Sequence, residues 1–383
     1  MPADEWSIAA LTRLTSLEVS GGWSAAAVPL SVREVTVRWA RLPQMQQLLT
    51  ALRPHACTII FTSTPFAIGP VDLLTALSEP WMASRVRLMQ LACREDDLRM
   101  FAPLAATVLS RMRDLRLTGP ATLPVASVSL TCLTSLQLSN WRGESNLAVP
   151  SFAGLERLAV PGSTGVTSLA ALAGMRGLRE LSIAAAQVSS LDPPATGSLT
   201  FLELSQCPQL TSLGLCEGGG ECQLRRLRLS ELPRLQSAPD AAAFVQLREL
   251  TSDDTAADLG LAFAHSLTRL KMDGDLPPTP FLSRVRGLCD LELRNKASLL
   301  SLACFGSLSQ LTALRLLQCS QLTSLRGLEM AASVETACIQ CQRLVSLAGL
   351  SSVSDTRSPV RSPGWWRRVS RACARWSAWT SRA

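Results

Sequence analysis

The sequence predicts an α/β solenoid, a stack of similar coils joined by one long parallel sheet, from three observations. A segment of the type L-x-x-L-x-L recurs in register nine times between residues 133 and 316, at intervals of 20 to 25 residues, with Val, Ile, Ser or Met in place of the last leucine in four copies. Of the 383 residues, 47% are hydrophobic and 17% are charged, so the chain can bury a long apolar core. No apolar run approaches the roughly 18 residues that cross a bilayer. The run at residues 56–61 (ACTIIF) has the length of a buried strand.

The nine copies share one numbering, in which the first leucine is position 1 and the next two are positions 4 and 6. Positions 4 and 6 point to the same side of an extended segment, and position 1 enters the turn before it. Because one coil cannot cover its own leucines, stacked coils bury them as a column and pair their strands in parallel. The copies begin at Leu133, Leu155, Leu178, Leu199, Leu224, Leu247, Leu267, Leu288 and Leu311.

Weaker copies extend the array in both directions. Further leucines at positions 12 and 15, such as Leu210 and Leu213, are predicted to line the core from the loop side. The sequence therefore predicts degenerate repeats over residues 1–110, a regular solenoid over 111–350 and a separate tail over 351–383. The weaker copies begin at Leu14, Val32, near Ile59, at Leu88, at Met112 and at Ser333.

Two copies, LELSQCPQLTSL (202–213) and LRLLQCSQLTSL (314–325), resemble the leucine-rich-repeat family. They are most similar to its short, cysteine-containing, intracellular type, which includes proteins of trypanosomatid protists. Cys207 and Cys319 stand where many members carry Asn. The resemblance covers about residues 11–350 and implies a horseshoe with a long parallel sheet on its concave face. It implies a binding protein without naming the partner, because the family binds diverse partners.

Candidate chemical sites are few. Twelve cysteines without an export signal at the N-terminus favour free thiols in a reducing compartment, hence a cytoplasmic or nuclear protein. Cys338 and Cys341 have the spacing of a redox or metal pair. Alignment of Cys341 on Cys319 places Cys338 at position 6 and Cys341 at position 9, both facing the core, and a second pair with zinc-site spacing is missing. Hydrolase, P-loop and zincin motifs are also missing. The sequence therefore predicts no enzyme, metal, cofactor or small-molecule substrate.

The predicted binding site is the outward side of the strands, at positions 3 and 5. Neighbouring parallel strands lie about 4.8 Å apart, so opposite charges form ion-pair ladders across them. One interpretation is a solvated face that neutralises itself. The other is a mixed-charge docking surface for a protein partner on the concave face, anchored by Phe201 and nearby arginines, since these residue types dominate interface energetics. The predicted residues are Arg157, Glu180, Phe201, Glu203, Arg226, Arg228, Glu249, Arg269, Lys271, Asp290, Glu292 and Arg315.

The tail differs from the rest of the chain. Residues 355–383 carry seven Arg against one Asp, so six of the seven net positive charges lie there. The nearly neutral remainder argues against nucleic-acid binding. Within residues 364–383, Trp and other apolar residues recur at helical spacing with Arg opposite. Three interpretations stay open: a disordered tail, a misread gene end, and an amphipathic helix that contacts an anionic membrane or an acidic partner.

The function that the sequence favours is a scaffold or adaptor that binds a protein without catalysis. One alternative is a substrate-recognition subunit of a larger complex such as a ubiquitin ligase. That role usually needs a helical adaptor-binding module before the repeats, and here the repeats begin near residue 11. The other alternative is a peripheral membrane protein tethered by its basic tail.

Overall fold

The computed structural model confirms a parallel-strand leucine-rich-repeat solenoid. The chain divides into two compact units, Met1–Val188 and Ser189–Ala383. Helical backbone in the described residues is confined to Leu52, Leu172 and Phe244, so strands and turns form nearly all of the described structure. The described residues are 15–20, 31–38, 52, 58–62, 86–92, 112–118, 131–140, 154–167, 169, 172, 175–191, 198–213, 222–235, 244–253, 266–274, 285–305, 308–329, 331 and 333–344.

The first unit contains eight strands that pair in parallel and in chain order. Each strand is short because each coil contributes only one leucine-bearing segment to the sheet. The strands are β1 (Ser16–Ser20), β2 (Glu34–Arg38), β3 (Thr58–Thr62), β4 (Val86–Ala92), β5 (Asp114–Thr118), β6 (Ser135–Ser139), β7 (Arg157–Val160) and β8 (Glu180–Ala184).

The second unit repeats this arrangement with seven parallel strands. A separate two-stranded sheet pairs Leu191, at position 14 of its coil, with Leu213, at position 15 of the next, so these loop-side leucines also align from coil to coil. The strands of the main sheet are β10 (Phe201–Ser205), β12 (Arg226–Ser230), β13 (Glu249–Ser252), β14 (Arg269–Met272), β15 (Asp290–Arg294), β16 (Ala313–Leu317) and β17 (Thr336–Gln340); those of the small sheet are β9 (Ser190–Leu191) and β11 (Ser212–Leu213).

The predicted leucine column is buried in all nine regular copies. Every residue at positions 1, 4 and 6 of these copies is at most 5% exposed. The strand register keeps equal positions side by side: Leu202 pairs with Leu227, and Leu227 pairs with Leu250. Ser252 occupies position 6 in β13 and is buried among the leucines, with its hydroxyl donating to the Asp253 carbonyl oxygen at 3.0 Å. The core prediction is therefore confirmed.

Position 8, directly after the strand, adopts the left-handed backbone conformation in eight coils. A non-glycine residue there costs about 1–2 kcal/mol. The sharp bend lets the chain leave the strand while its N–H still bonds to the next coil: the amides of Asn140 and Gln318 donate to the Pro161 and Gln340 carbonyl oxygens, both at 2.9 Å. The left-handed residues are Asn140, Gly162, Ala185, Gln206, Glu231, Gly274, Asn295 and Gln318.

The predicted register of the last coil is wrong by one residue. β16 pairs with β17 so that Leu314 lies opposite Ala337 and Leu316 opposite Ile339. Val334, not Ser333, therefore occupies position 1, and Val334 and Ile339 are 8% and 7% exposed. A shift of one residue moves every strand side chain to the other face. Cys338 consequently lies at the outward position 5 and Cys341 at position 8, so neither has the core-facing position predicted for it.

The predicted copy at Leu88 is wrong by two residues. β4 pairs with β5 so that Met89 and Leu91 lie opposite Leu115 and Leu117, which places Val86 at position 1. The pairing of β3 with β4 also shifts register between Ile59 and the following residue. The copies at Val32 and Met112 keep the predicted register, because residues 32, 35, 37, 112, 115 and 117 are all buried.

Candidate functional site

The candidate site is the strand face, by which we mean the outward side chains at positions 3 and 5 of the main-sheet strands. Along strands such as β10 and β15, alternate residues are buried and the intervening ones are at least partly exposed. The register brings position 3 of one strand beside position 3 of the next. Charged side chains from neighbouring coils therefore stand side by side in rows.

In the first unit, Arg157 reaches across an intervening strand. Its guanidinium Nη2 lies 3.5 Å from Asp114 Oδ1, although β6 separates the two strands. The side chain between them is Ser135, which pairs with both residues in the sheet and is short enough to leave the path open. Glu180 lies beside Arg157 in the next strand and is half-buried.

In the second unit, the predicted ion-pair ladder is present. Each pair joins adjacent strands at the same or the nearest outward position. The pairs of Arg228 and Arg269 are largely exposed, so solvent screens them and each contributes at most about 1 kcal/mol. The pairs are Arg228–Glu203 at 3.6 Å, Arg269–Glu249 at 3.2 Å, Lys271–Glu292 at 3.4 Å and Arg315–Asp290 at 2.9 Å.

Glu292 is the most enclosed carboxylate of this ladder, with a side chain only 13% exposed. Besides Lys271, it is approached by Arg315 at 3.9 Å and bonded by Nε of Arg294 on its own strand. Three cations therefore surround one carboxylate, so these side chains hold each other in place. This end of the strand face is neutralised internally.

Phe201 is the one aromatic side chain among the predicted residues, and it is not isolated. The guanidinium carbons of Arg226 and Arg228, on the adjacent strand, lie 4.9 and 5.4 Å from its ring centroid. Both distances are within the range for a cation–π interaction. The ring is half-buried, and both arginines are exposed. Sequence reasoning missed this stacking, although the pairing of position 3 with position 3 would have suggested it.

The cysteines of the described residues are of two kinds, one that is disulfide-bonded and seven that are free. Cys338 is disulfide-bonded, contrary to the prediction of free thiols. The described residues contain no group of three metal-ligating side chains. The pattern missed one proximity: Cys319 and Cys341, in adjacent coils, each shift the pKa of the other thiol. The free cysteines of the described residues are Cys132, Cys207, Cys222, Cys289, Cys304, Cys319 and Cys341.

Comparison with known proteins finds no matching family model and no matching curated protein. Solved leucine-rich-repeat structures do resemble the chain. An internalin (InlF) of Listeria monocytogenes is 17% identical, with a TM-score of 0.46, over 86% of this chain and 88% of that one. The functional domain of InlJ from Listeria monocytogenes, described as including a cysteine ladder, is 15% identical with a TM-score of 0.44, over 81% of this chain and 68% of that one.

A Leptospira interrogans LRR protein is 15% identical, with a TM-score of 0.35, over 70% of this chain and 67% of that one. These likenesses concern the fold alone. Within the part of the chain that the structure describes, no helix has the length and apolar character needed to span a membrane.

Proposed function

We propose that the strand face binds another protein and that the chain acts as a scaffold or adaptor without catalysis. The observation that carries this proposal is the apolar ring of Phe201 on an outward face, in contact with the exposed guanidiniums of Arg226 and Arg228 on the adjacent strand. Aromatic and arginine side chains are the types that most often dominate protein-interface energetics. Stacking already restricts the Phe201 ring and the two arginine side chains. Binding therefore costs less side-chain conformational entropy.

The charge balance of the face favours a protein over a polyanion. In the second unit, positions 3 and 5 carry five cations and four carboxylates, so the face is close to neutral. A nucleic acid would require a clear excess of cations. The exposed ion pairs cost little to rearrange, so a partner with complementary charges can replace them and gain specificity.

The finer forms of this proposal concern location and assembly. We place the chain in the cytoplasm or nucleus, among the short cysteine-containing type of repeat protein, because seven cysteines of the described residues are free thiols, with Cys338 the exception. Membership of a ubiquitin ligase or a similar complex is the second candidate. Affinity purification distinguishes the two, since a recognition subunit would bring ligase components with it and a simple adaptor would not.

Affinity purification with mass spectrometry tests the site itself. We expect Phe201→Asp, and separately the double variant Arg226→Glu with Arg228→Glu, to lower recovery of the partner at least tenfold, because each removes a central contact of about 1.4 kcal/mol or more. Two matched controls change exposed residues away from the strand face. Leu300→Asp alters a leucine that is 63% exposed, and Arg326→Glu reverses an exposed charge.

All variants should keep the native circular dichroism spectrum and melting temperature, because the altered side chains are outward. A partner that survives both face variants would overturn the proposal. So would a partner that is lost equally in the Leu300 and Arg326 controls.

A further inference from the structure

Two thiols meet in the turns that follow β16 and β17. Leu317 pairs with Gln340 across these strands, Cys341 directly follows Gln340, and Cys319 lies two residues after Leu317. The two cysteines are therefore diagonal neighbours in adjacent coils. Neighbouring strands lie about 4.8 Å apart, and a disulfide spans about 4.4–6.8 Å between Cα atoms, so diagonal neighbours are suited to form one. The Sγ atoms of Cys341 and Cys319 each lie 3.7 Å from a backbone carbonyl oxygen, those of the consecutive residues Leu316 and Leu317.

The two thiols differ in access. Cys319 is 0% exposed, and its Sγ also lies 3.8 Å from the Leu293 carbonyl oxygen and 3.7 Å from that of Leu317. Cys341 is partly exposed, and its Sγ lies 3.7 Å from the Leu316 carbonyl oxygen. A reagent in solution therefore reaches Cys341 first, and Cys319 lies behind it.

The contact also separates the acidities of the two groups. The hydrogen bond from Cys319 stabilises the Cys341 thiolate and lowers the pKa of Cys341 to about 7, against the opposing effect of burial. The same bond, followed by burial and the nearby Cys341 charge, raises the pKa of Cys319. The ammonium of Lys296, which is 4% exposed in the preceding coil, acts on Cys319 in the opposite direction. Cys341 thus ionises first while Cys319 keeps its proton.

We propose that Cys341 and Cys319 form a two-cysteine redox site that reacts with small disulfides of the glutathione type. The Cys341 thiolate attacks one sulfur of the oxidant, forms a mixed disulfide and releases one glutathione thiolate. Cys319 then attacks the Cys341 sulfur, its proton passes to the departing glutathione thiolate, and an intramolecular disulfide results. Two thiols are oxidised and one glutathione disulfide is reduced to two glutathione molecules.

This site is separate from the proposed protein-binding face, because both cysteines lie in turns rather than at positions 3 and 5. It is also not the pair suggested by the C-x-x-C spacing, since Cys319 belongs to a different coil from Cys338. Cys207 occupies the turn position equivalent to Cys319, but the following coil carries Glu231 where Cys341 stands. Cys207 is therefore a matched control for the thiol contact.

The experiment exposes the full chain to glutathione disulfide at pH 7 and maps tryptic peptides without reduction. We expect fragment 316–326, which contains Cys319, to be linked to fragment 327–343. Fragment 327–343 also carries the disulfide of Cys338, so the partner peptide of Cys338 is part of the linked species before and after oxidation. Fragmentation between Cys338 and Cys341 assigns the bond to Cys341. Cys319→Ser keeps a hydrogen-bond donor but cannot form the bond, so oxidation should stop at a glutathione adduct on Cys341.

Alkylation by iodoacetamide at pH 7 measures the activation of Cys341. Removing the donor in Cys319→Ala should return the pKa of Cys341 toward that of an ordinary thiol and slow its alkylation about tenfold. Cys319→Ser should retain most of the rate, and Cys207→Ala all of it. If the alanine variant fails to fold by circular dichroism, the serine variant alone decides. Absence of the 319–341 bond in the wild type, or linkage of Cys319 to Cys338 instead of Cys341, would overturn the proposal.

Discussion

Single residues with unfavourable backbone angles mark the end of most strands. Position 8 has a φ between 53° and 59° at six non-glycine residues, whereas Gly162 and Gly274 occupy it in two coils. The bend is fixed by the coil geometry, because the next coil supplies the carbonyl acceptor. The residue types at position 8 suit this left-handed conformation only in part. Asn adopts it at little cost, whereas Ala, Gln and Glu are strained in it. These positions therefore hold strain that substitution can release.

Ala185→Gly should stabilise the protein by about 1 kcal/mol, because Ala185 has a φ of 59° and glycine adopts this conformation without a Cβ clash. The neighbouring Ala184 lies at the end of β8 and is the matched control. Ala184→Gly should destabilise by about 0.5–1 kcal/mol through backbone entropy. Thermal and urea unfolding of both variants measures the difference. Equal destabilisation by the two substitutions would show that the strain at Ala185 is absent.

At the scale of the coil, the turns after position 15 depend on close backbone approach. Gly327 has a φ of 112°, and a Cβ there would lie 2.4 Å from the Leu302 carbonyl oxygen of the preceding coil. The oxygen belongs to the backbone and a Cβ is fixed directly to it, so neither can move aside without shifting a turn. Leu328, the next residue, is fully buried beneath this turn. Gly327 therefore sets how closely two coils stack.

Gly327→Ala should destabilise the protein by about 2 kcal/mol or more, the sum of a strained φ and a backbone contact. Gly287→Ala is the control, because a Cβ at Gly287 would meet only the Leu267 carbonyl oxygen, at an ordinary 3.8 Å. That control should change stability by less than about 1 kcal/mol. Urea denaturation curves at equal protein concentration give both values. A Gly327 variant as stable as the Gly287 variant would contradict the stacking role.

The leucine pattern was sufficient to predict the coils where three apolar residues recur, as at Leu224, Leu227 and Leu229. It failed in the last coil, where V-x-x-A-x-I contains no leucine and a small residue, Ala337, occupies position 4. Side chains alternate between the two faces of a strand, and this alternation fixes the register only when one face is clearly apolar. A weakly apolar strand therefore fits two registers equally well. Charged residues of opposite sign stand at positions 3 and 5 of successive copies. Because these positions point outward and lie side by side in a parallel sheet, the same pattern predicted both the strand face and its ion-pair ladder.

The details of the candidate site could not be predicted from the repeat pattern, because they depend on residues that are neighbours only in the folded chain. The stacking of Phe201 under Arg226 and the thiol contact of Cys319 with Cys341 both join residues more than twenty positions apart. Only the exact strand register brings them together, and in the second case the predicted register was wrong. Contacts between coils are therefore the part of this molecule that a repeat pattern specifies least.

For the molecule as a whole, charge is unevenly distributed along the sequence. The repeats are nearly neutral, and the described strand face balances its own charges through pairs such as Arg315–Asp290. The excess of arginine lies in residues 355–383, outside the described residues. Any attraction of the chain to an anionic surface should therefore come from the tail and be screened by salt. The sequence predictions for residues 351–383 stay predictions.

Deleting residues 355–383 should abolish co-sedimentation with vesicles of phosphatidylcholine and phosphatidylserine, if residues 364–383 bind membranes as an amphipathic helix. The full chain should bind these vesicles and not pure phosphatidylcholine, because basic residues near an anionic surface contribute about 1 kcal/mol each. Trp376→Ala with Trp379→Ala should weaken binding at any salt concentration, since it removes inserted apolar area. Arg368→Gln with Arg371→Gln should weaken it mainly at low salt. Sedimentation that persists unchanged after the deletion would assign membrane binding to the repeats instead, and sedimentation of neither protein would leave the tail without a membrane role.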